Sequence, residues 1–168
     1  MDEIKDRKTP RWQSFDYNCS CAYFVTLCTK DRRCVLSRIV GTNDPECPKV
    51  ELTDYGQIAD KYIKQLNDFY DHIFVENYVI MPNHIHILLY IKQKEEIVIV
   101  PTSVARSNSP FSQFLSTYKR FCNKEYGENI WQARAYDHII RNKEDYEKHM
   151  KYIYENPMRW YYDELYSE

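Results

Sequence analysis

The chain has 168 residues, enough for one domain with a sizeable core and too few for two ordinary ones. Its 23 Lys and Arg against 25 Asp and Glu leave a formal net charge of −2, which excludes a binder held to nucleic acid by bulk positive charge. Hydrophobic residues at 43% with charged residues at 29% exclude wholesale disorder, and 3 glycines leave no room for a Gly-rich phosphate loop, so most of the 16 tyrosines must pack.

In chain order, residues 1–19 are polar and irregular. Tyr23 to Thr29 is rich in β-formers and predicts a first strand. Residues 40–50, with Gly41, Pro45 and Pro48, read as a loop. Asp54, with Gln57 three positions on, opens a helix whose apolar positions Ile58, Tyr62, Ile63, Leu66 and Phe69 keep helical spacing. A second strand, Ile73 to Ile80, ends at Met81-Pro82-Asn83, since proline cannot donate into a ladder. The third strand, His84 to Ile91, puts His84, His86, Leu88 and Tyr90 on one face and four aliphatic residues on the other.

Residues 92–108 read as a polar loop or flap interrupted by Ile97 to Val100. Ser109 and Pro110 start a helix with a buried stripe from Phe111 to Cys122, and Gly127 stops it. A fourth strand centres on residues 135–140. Asn142 opens a last helix, with Glu144 and Asp145 favouring its dipole, and Pro157 closes it. The order β-α-β-β-α-β-α predicts an α+β, ferredoxin-like antiparallel sheet with helices on one face plus a C-terminal helix. No linker divides it, so residues 1–168 are expected to form one domain with its core at about 20–160.

No apolar run reaches the roughly 18 residues of a membrane span, and the charged N-terminus lacks the apolar core of a secretory signal. Six cysteines form no C-x-x-C pair, and Cys28 and Cys122 suit reduced, buried thiols, so the cytoplasm is the expected compartment.

Chemistry concentrates in two places. His84 and His86, at i and i+2 on one strand face, can ligate one metal ion, although H-x-H is also common on a solvated face. On the last helix, Tyr146, Met150 and Ile153 make an apolar stripe. Tyr152 and Asn156, four apart, share a different face with Asp145, Lys148 and His149. Read alone, Tyr152 could be a packing tyrosine and Asn156 a helix-end cap.

Met81 to Leu89 (M-P-N-H-I-H-I-L-L), Trp131-Gln132, Asp137 to Arg141 (D-H-I-I-R) and Tyr152 to Pro157 (Y-I-Y-E-N-P), in this order, resemble the single-tyrosine HUH transposases. Within these, they resemble the REP-associated tyrosine transposase branch, an insertion-sequence transposase-like group. The resemblance runs from about Tyr23 to about Trp160. It implies a metal-dependent single-stranded DNA endonuclease and strand transferase, acting at DNA hairpins through a covalent 5′-phosphotyrosine intermediate. Carried across, His84, His86 and Asn156 would hold Mg²⁺ or Mn²⁺, and the last helix would supply the nucleophile Tyr152. Relatives often carry Gln where this chain has Asn156. Tyr154 is turned about 200° from Tyr152 on an α-helix, so only one of the two can face the histidines. Tyr136, His138, His149 and Tyr154 are candidate near-site residues.

The expected partner is single-stranded or hairpin DNA, with no membrane. Candidate DNA contacts are Lys8, Arg11, Lys119, Arg120, Arg134 and Arg141 for phosphates and Trp12 and Trp131 for stacking, each of which could equally be ordinary surface. Related enzymes include homodimers that swap the tyrosine helix. The short Arg141-Asn142 link here favours assembly within one chain. Two competing expectations remain: a non-catalytic nucleic-acid-binding module on the same sheet, and a zinc hydrolase that adds Asp137 or His138 to the histidines.

Overall fold

The computed structural model describes residues 20–41, 48–92 and 109–166. The predicted flap and the candidate contacts Lys8, Arg11 and Trp12 lie outside the described residues. Six strands and three helices follow one another: β1 (Cys21–Cys28), β2 (Ser37–Val40), β3 (Lys49–Leu52), α1 (Asp54–Phe69), β4 (Ile73–Ile80), β5 (His84–Ile91), α2 (Pro110–Tyr126), β6 (Tyr136–Ile139) and α3 (Lys143–Glu155). A 3-10 turn, Lys30–Arg32, follows β1, and a 3-10 segment, Asn156–Tyr162, continues α3.

β4, β5, β1 and β6 lie in that order in one sheet, every neighbouring pair antiparallel. This is the ferredoxin-like order expected from the sequence. The hairpin β2–β3 is an addition. It shortens the predicted 40–50 loop at both ends, because four-residue strands are too brief to show a period of two.

Alternation along β5 separates two chemistries. Ile85, Ile87, Leu89 and Ile91 are fully buried in the main core with Tyr23, Val25 and Leu27 of β1 and the apolar stripes of α1 and α2. The opposite face carries a second, smaller cluster, Phe24, Leu88 and Ile153, with Tyr146 and Met150 packed against it. α3 therefore lies across the sheet face away from α1 and α2, on the side of His84 and His86.

Local signals set the boundaries. Thr53, one residue before the expected start, caps α1 by accepting from Gly56 N. Gly56 cannot be anything larger, since a Cβ there would sit 2.0 Å from the Leu36 carbonyl oxygen. Ser109 caps α2, and Gly127 ends it in the left-handed conformation at φ 73°. Asn142 caps α3 through Asp145 N. Pro157 does not end the chain's helical course. It opens the 3-10 segment, where its missing N–H costs little.

Candidate metal and nucleophile site

The β1–β5 register pairs Thr26 with His86 and Cys28 with His84, and the β1–β6 register pairs Thr26 with Tyr136 and Phe24 with His138. Directly paired residues point to the same side of a sheet. The two histidines of β5 and two near-site candidates of β6 thus share one face, beneath α3.

His84 and His86 are 0% and 2% exposed, with rings 4.5 Å apart. Each is held by its Nδ1. Asn83 donates through Nδ2 to the Leu165 carbonyl at 2.7 Å, which turns its Oδ1 toward His84 Nδ1 at 2.8 Å. That oxygen can only accept, so His84 carries its proton on Nδ1 and a lone pair on Nε2. Thr26 Oγ1, which can donate or accept, meets His86 Nδ1 at 2.9 Å and leaves Nε2 as the nitrogen without a partner. Burial drives the His84 pKa from 6.5 down to about 4. Burial, with His84 and His149 nearby, holds His86 well below 6.5. Both rings are neutral at pH 7.

Asn156 is 1% exposed at the end of α3. Its Nδ2 donates to Asp163 Oδ2 at 3.1 Å, which fixes the orientation of the amide. Of the six buried side-chain atoms with no hydrogen-bond partner among the described residues, three belong to this site: His84 Nε2, His86 Nε2 and Asn156 Oδ1. Buried polar atoms are nearly always satisfied, and these three are the two imidazole nitrogens and the amide oxygen that a divalent cation accepts. The residues fit a metal ion. The Asn83 and Thr26 contacts are the outer contacts that orient metal-bound histidines elsewhere.

Tyr152 packs its ring 5.1 Å from His86 and 5.8 Å from Phe24. Burial and the Asp163 carboxylate push its phenol up from 10.0, while the Asn156 amide pulls the other way. Tyr154 points away and is 77% exposed. Tyr136 and His149 line the same cavity as Tyr152 and His86, a space of about 790 Å³ also edged by Arg32, Lys148, Lys151, Arg159 and Asp163. His138 joins a separate group. Its Nε2 lies 2.8 Å from Asp145, whose carboxylate also meets His149 Nδ1 at 3.2 Å and accepts from Arg141 N. Neither His138 nor Asp137 joins His84 and His86, and Asp137 pairs with Val25 on the core side of the register.

The remaining candidates divide. Arg120, Arg134 and Arg141 are exposed. The Lys119 ammonium is drawn to the Gln132 and Ala133 carbonyls. Trp131 corrects the expectation of a base-stacking face. It is 2% exposed and packs on Tyr118 and Tyr126, so its ring serves the core.

Sequence reasoning missed Thr26, Asp163, Trp160 and three of the cavity cations, Arg32, Lys151 and Arg159. Thr26 becomes visible only once the β1–β5 register is known. Asp163 and Trp160, which packs 5.9 Å from His84, come from the 3-10 segment and the turn after it, where no sequence periodicity pointed.

The backbone order, the face-shared histidines and the helix-borne tyrosine define a ferredoxin-like domain with a candidate metal and nucleophile site on one sheet face. No family model matches the chain. It is 28% identical to an uncharacterised protein of Haemophilus influenzae over 98% of this chain and 96% of that one. A second H. influenzae protein, provisionally named a REP-associated tyrosine transposase, is 29% identical over 89% of this chain and 77% of its own length. The REP-associated tyrosine transposase of Escherichia coli is 28% identical over 51% of this chain and 44% of its own. Among solved structures, a REP-associated tyrosine transposase bound to a REP hairpin superimposes with TM-score 0.63 and 23% identity, covering 89% of this chain and 73% of that one, and shows the shared fold. The chain thus resembles the REP-associated tyrosine transposases in sequence and in fold. Among the described residues, no helix is long and apolar enough to cross a membrane.

Proposed function

We propose that the chain is a metal-dependent single-stranded DNA endonuclease and strand transferase that uses Tyr152 as nucleophile. The observation that carries this reading is that His84 Nε2, His86 Nε2 and Asn156 Oδ1 are buried and unpartnered among the described residues, with the Tyr152 ring 5.1 Å from that of His86 and the Asn156 amide acting on both His84 and Tyr152. His84, His86 and Asn156 would hold Mg²⁺ or Mn²⁺, which when bound would polarise the scissile phosphate and offset the charge that develops on it.

Asn83 and Thr26 aim the two imidazoles, and burial keeps them neutral. Tyr152 Oη forms a bond to phosphorus and the bond from phosphorus to the 3′ oxygen breaks. The phenol gives up its proton and the departing oxygen takes one up. The products are a 5′-phosphotyrosine and a free 3′-hydroxyl. The bond is conserved in the adduct, so attack by a 3′-hydroxyl rejoins a strand without ATP.

Arg32, Lys148, Lys151 and Arg159 edge the cavity and suit phosphates, and the half-exposed Tyr136 suits an unpaired base. Placed cations of this kind let a chain of net charge −2 hold DNA locally. A structural relative is bound to a REP hairpin, which supports a DNA hairpin as the substrate. Tyr152 meets His86 of its own chain, so the reading requires no second subunit.

The test is incubation with a labelled hairpin carrying a single-stranded foot. The reading expects an SDS-resistant protein–DNA adduct with Mg²⁺ or Mn²⁺ and none after chelation. Tight binding with no cleavage in either ion would assign the chain to the non-catalytic binding modules instead.

A further inference from the structure

Asp163 follows the 3-10 segment that continues α3, seven positions beyond Asn156. One ligand atom from each of His84, His86 and Asp163 lies within 4.8 Å of the other two. Small side-chain adjustments therefore bring all three to one ion.

The turn that carries Asp163 is anchored to the same end of the sheet. Arg32 Nη1 donates to the Glu164 carbonyl at 2.9 Å, and Asn83, the residue that orients His84, donates to the Leu165 carbonyl at 2.7 Å. Within the turn, Asp163 N donates to the Trp160 carbonyl and Tyr166 N to the Asp163 carbonyl. The carboxylate is thus presented by a fixed backbone.

The carboxylate accepts from Leu165 N through Oδ1 at 2.7 Å and from Asn156 Nδ2 through Oδ2 at 3.1 Å, and the Tyr152 phenol lies within its hydrogen-bonding reach. A carboxylate has about four lone-pair sites, so capacity for a cation remains. The bond from Asn156 does further work. It settles which end of the amide faces the histidines, since an unheld amide could turn its NH₂ toward them.

We propose that Asp163 is a fourth protein donor to the divalent ion and that it also orients Asn156 as a ligand. This rests on the metal reading of His84, His86 and Asn156 given above. The donor set becomes two imidazoles, an amide and a carboxylate, in place of the three neutral groups foreseen from the sequence. The ligands then carry one negative charge, and the ion is held more firmly in the DNA-free protein.

Metal binding to the full chain without DNA tests this. Mn²⁺ affinity is measured by electron paramagnetic resonance for the unmodified protein, His86→Ala and Asp163→Asn, and the Co²⁺ d–d spectrum is recorded for the first and last. Asp163→Asn is nearly isosteric and keeps an acceptor for Leu165 N, and its thermal midpoint in chelator checks folding.

The proposal expects one Mn²⁺ per chain, lost in His86→Ala, an affinity lowered about 10- to 100-fold in Asp163→Asn, and a shifted Co²⁺ spectrum in that variant. Mn²⁺ affinity within about twofold of the unmodified protein would overturn it while leaving the metal reading intact. A weaker affinity with an unchanged Co²⁺ spectrum overturns the direct ligation. If the unmodified protein binds no Mn²⁺ through His86, the metal reading fails and this proposal with it.

Discussion

The phenol ring of Tyr152 lies 5.1 Å from the imidazole of His86, nearly perpendicular at 70°, within a single chain. One residue comes from the last helix and the other from an inner strand of the sheet. Their meeting depends on a small apolar seat, Phe24, Leu88 and Ile153, that lays α3 on the histidine face.

Two tyrosines two positions apart on α3 are expected to behave oppositely. Tyr152→Phe abolishes the covalent DNA adduct while DNA affinity stays within about twofold, because only a hydroxyl is lost. Tyr154→Phe, on the exposed side, leaves adduct formation unchanged. Gel assays of the labelled adduct compare the two. A surviving adduct in Tyr152→Phe would move the nucleophile to another tyrosine.

Thr26→Val keeps a strand former in β1 but removes the partner of His86 Nδ1. The imidazole loses the contact that orients its ring, and affinity for Mn²⁺ is expected to fall about 10- to 100-fold, the usual effect of losing an outer contact. The lost buried hydrogen bond costs about 1 kcal/mol of stability. Mn²⁺ titration and denaturant unfolding measure the two effects separately.

The seat under α3 is open to the same kind of test. Leu88 is fully buried between Phe24 and Ile153, and Leu88→Ala is expected to cost about 2–5 kcal/mol. Adduct formation by the folded fraction also falls, since the helix bearing Tyr152 loses its rest. An adduct rate unchanged alongside a lowered unfolding midpoint would separate α3 placement from that cluster.

The metal-free protein is expected to lose stability on mild acidification. Burial holds His84 at about 4 against an ordinary 6.5, so between these values the unfolded chain binds the extra proton and the folded one does not. The contribution is complete above pH 6.5 and is lost as pH falls toward 4, with His86 adding in the same direction. Unfolding midpoints in chelator should fall across that window and stay nearly flat just above it. A midpoint that rose on acidification would mean that the histidines gain a partner when protonated.

Much of this arrangement was legible in the residues. The period of two along β5 separated His84 and His86 from the aliphatic face, and the spacing of Tyr146, Met150 and Ile153 set which side of α3 is buried. The caps Ser109 and Asn142 and the stop Gly127 were readable because each answers a local hydrogen-bonding or dihedral demand. What stayed hidden was non-local. Thr26 meets His86 across 60 residues, and Asp163 reaches Asn156 only because the chain continues as a 3-10 helix past Pro157. Trp131 misled because an aromatic residue looks the same in sequence whether it faces solvent or packs on Tyr118.

The central claim is that Tyr152 forms the bond to DNA at a site built from His84, His86 and Asn156. Mass spectrometry of the protease-digested adduct, formed on a hairpin with a single-stranded foot in Mn²⁺, tests it most directly. The account predicts a nucleotide on the peptide containing Tyr152 and none in a sample made with chelator. A nucleotide on a peptide carrying Tyr136, or cleavage with no peptide adduct at all, would contradict it.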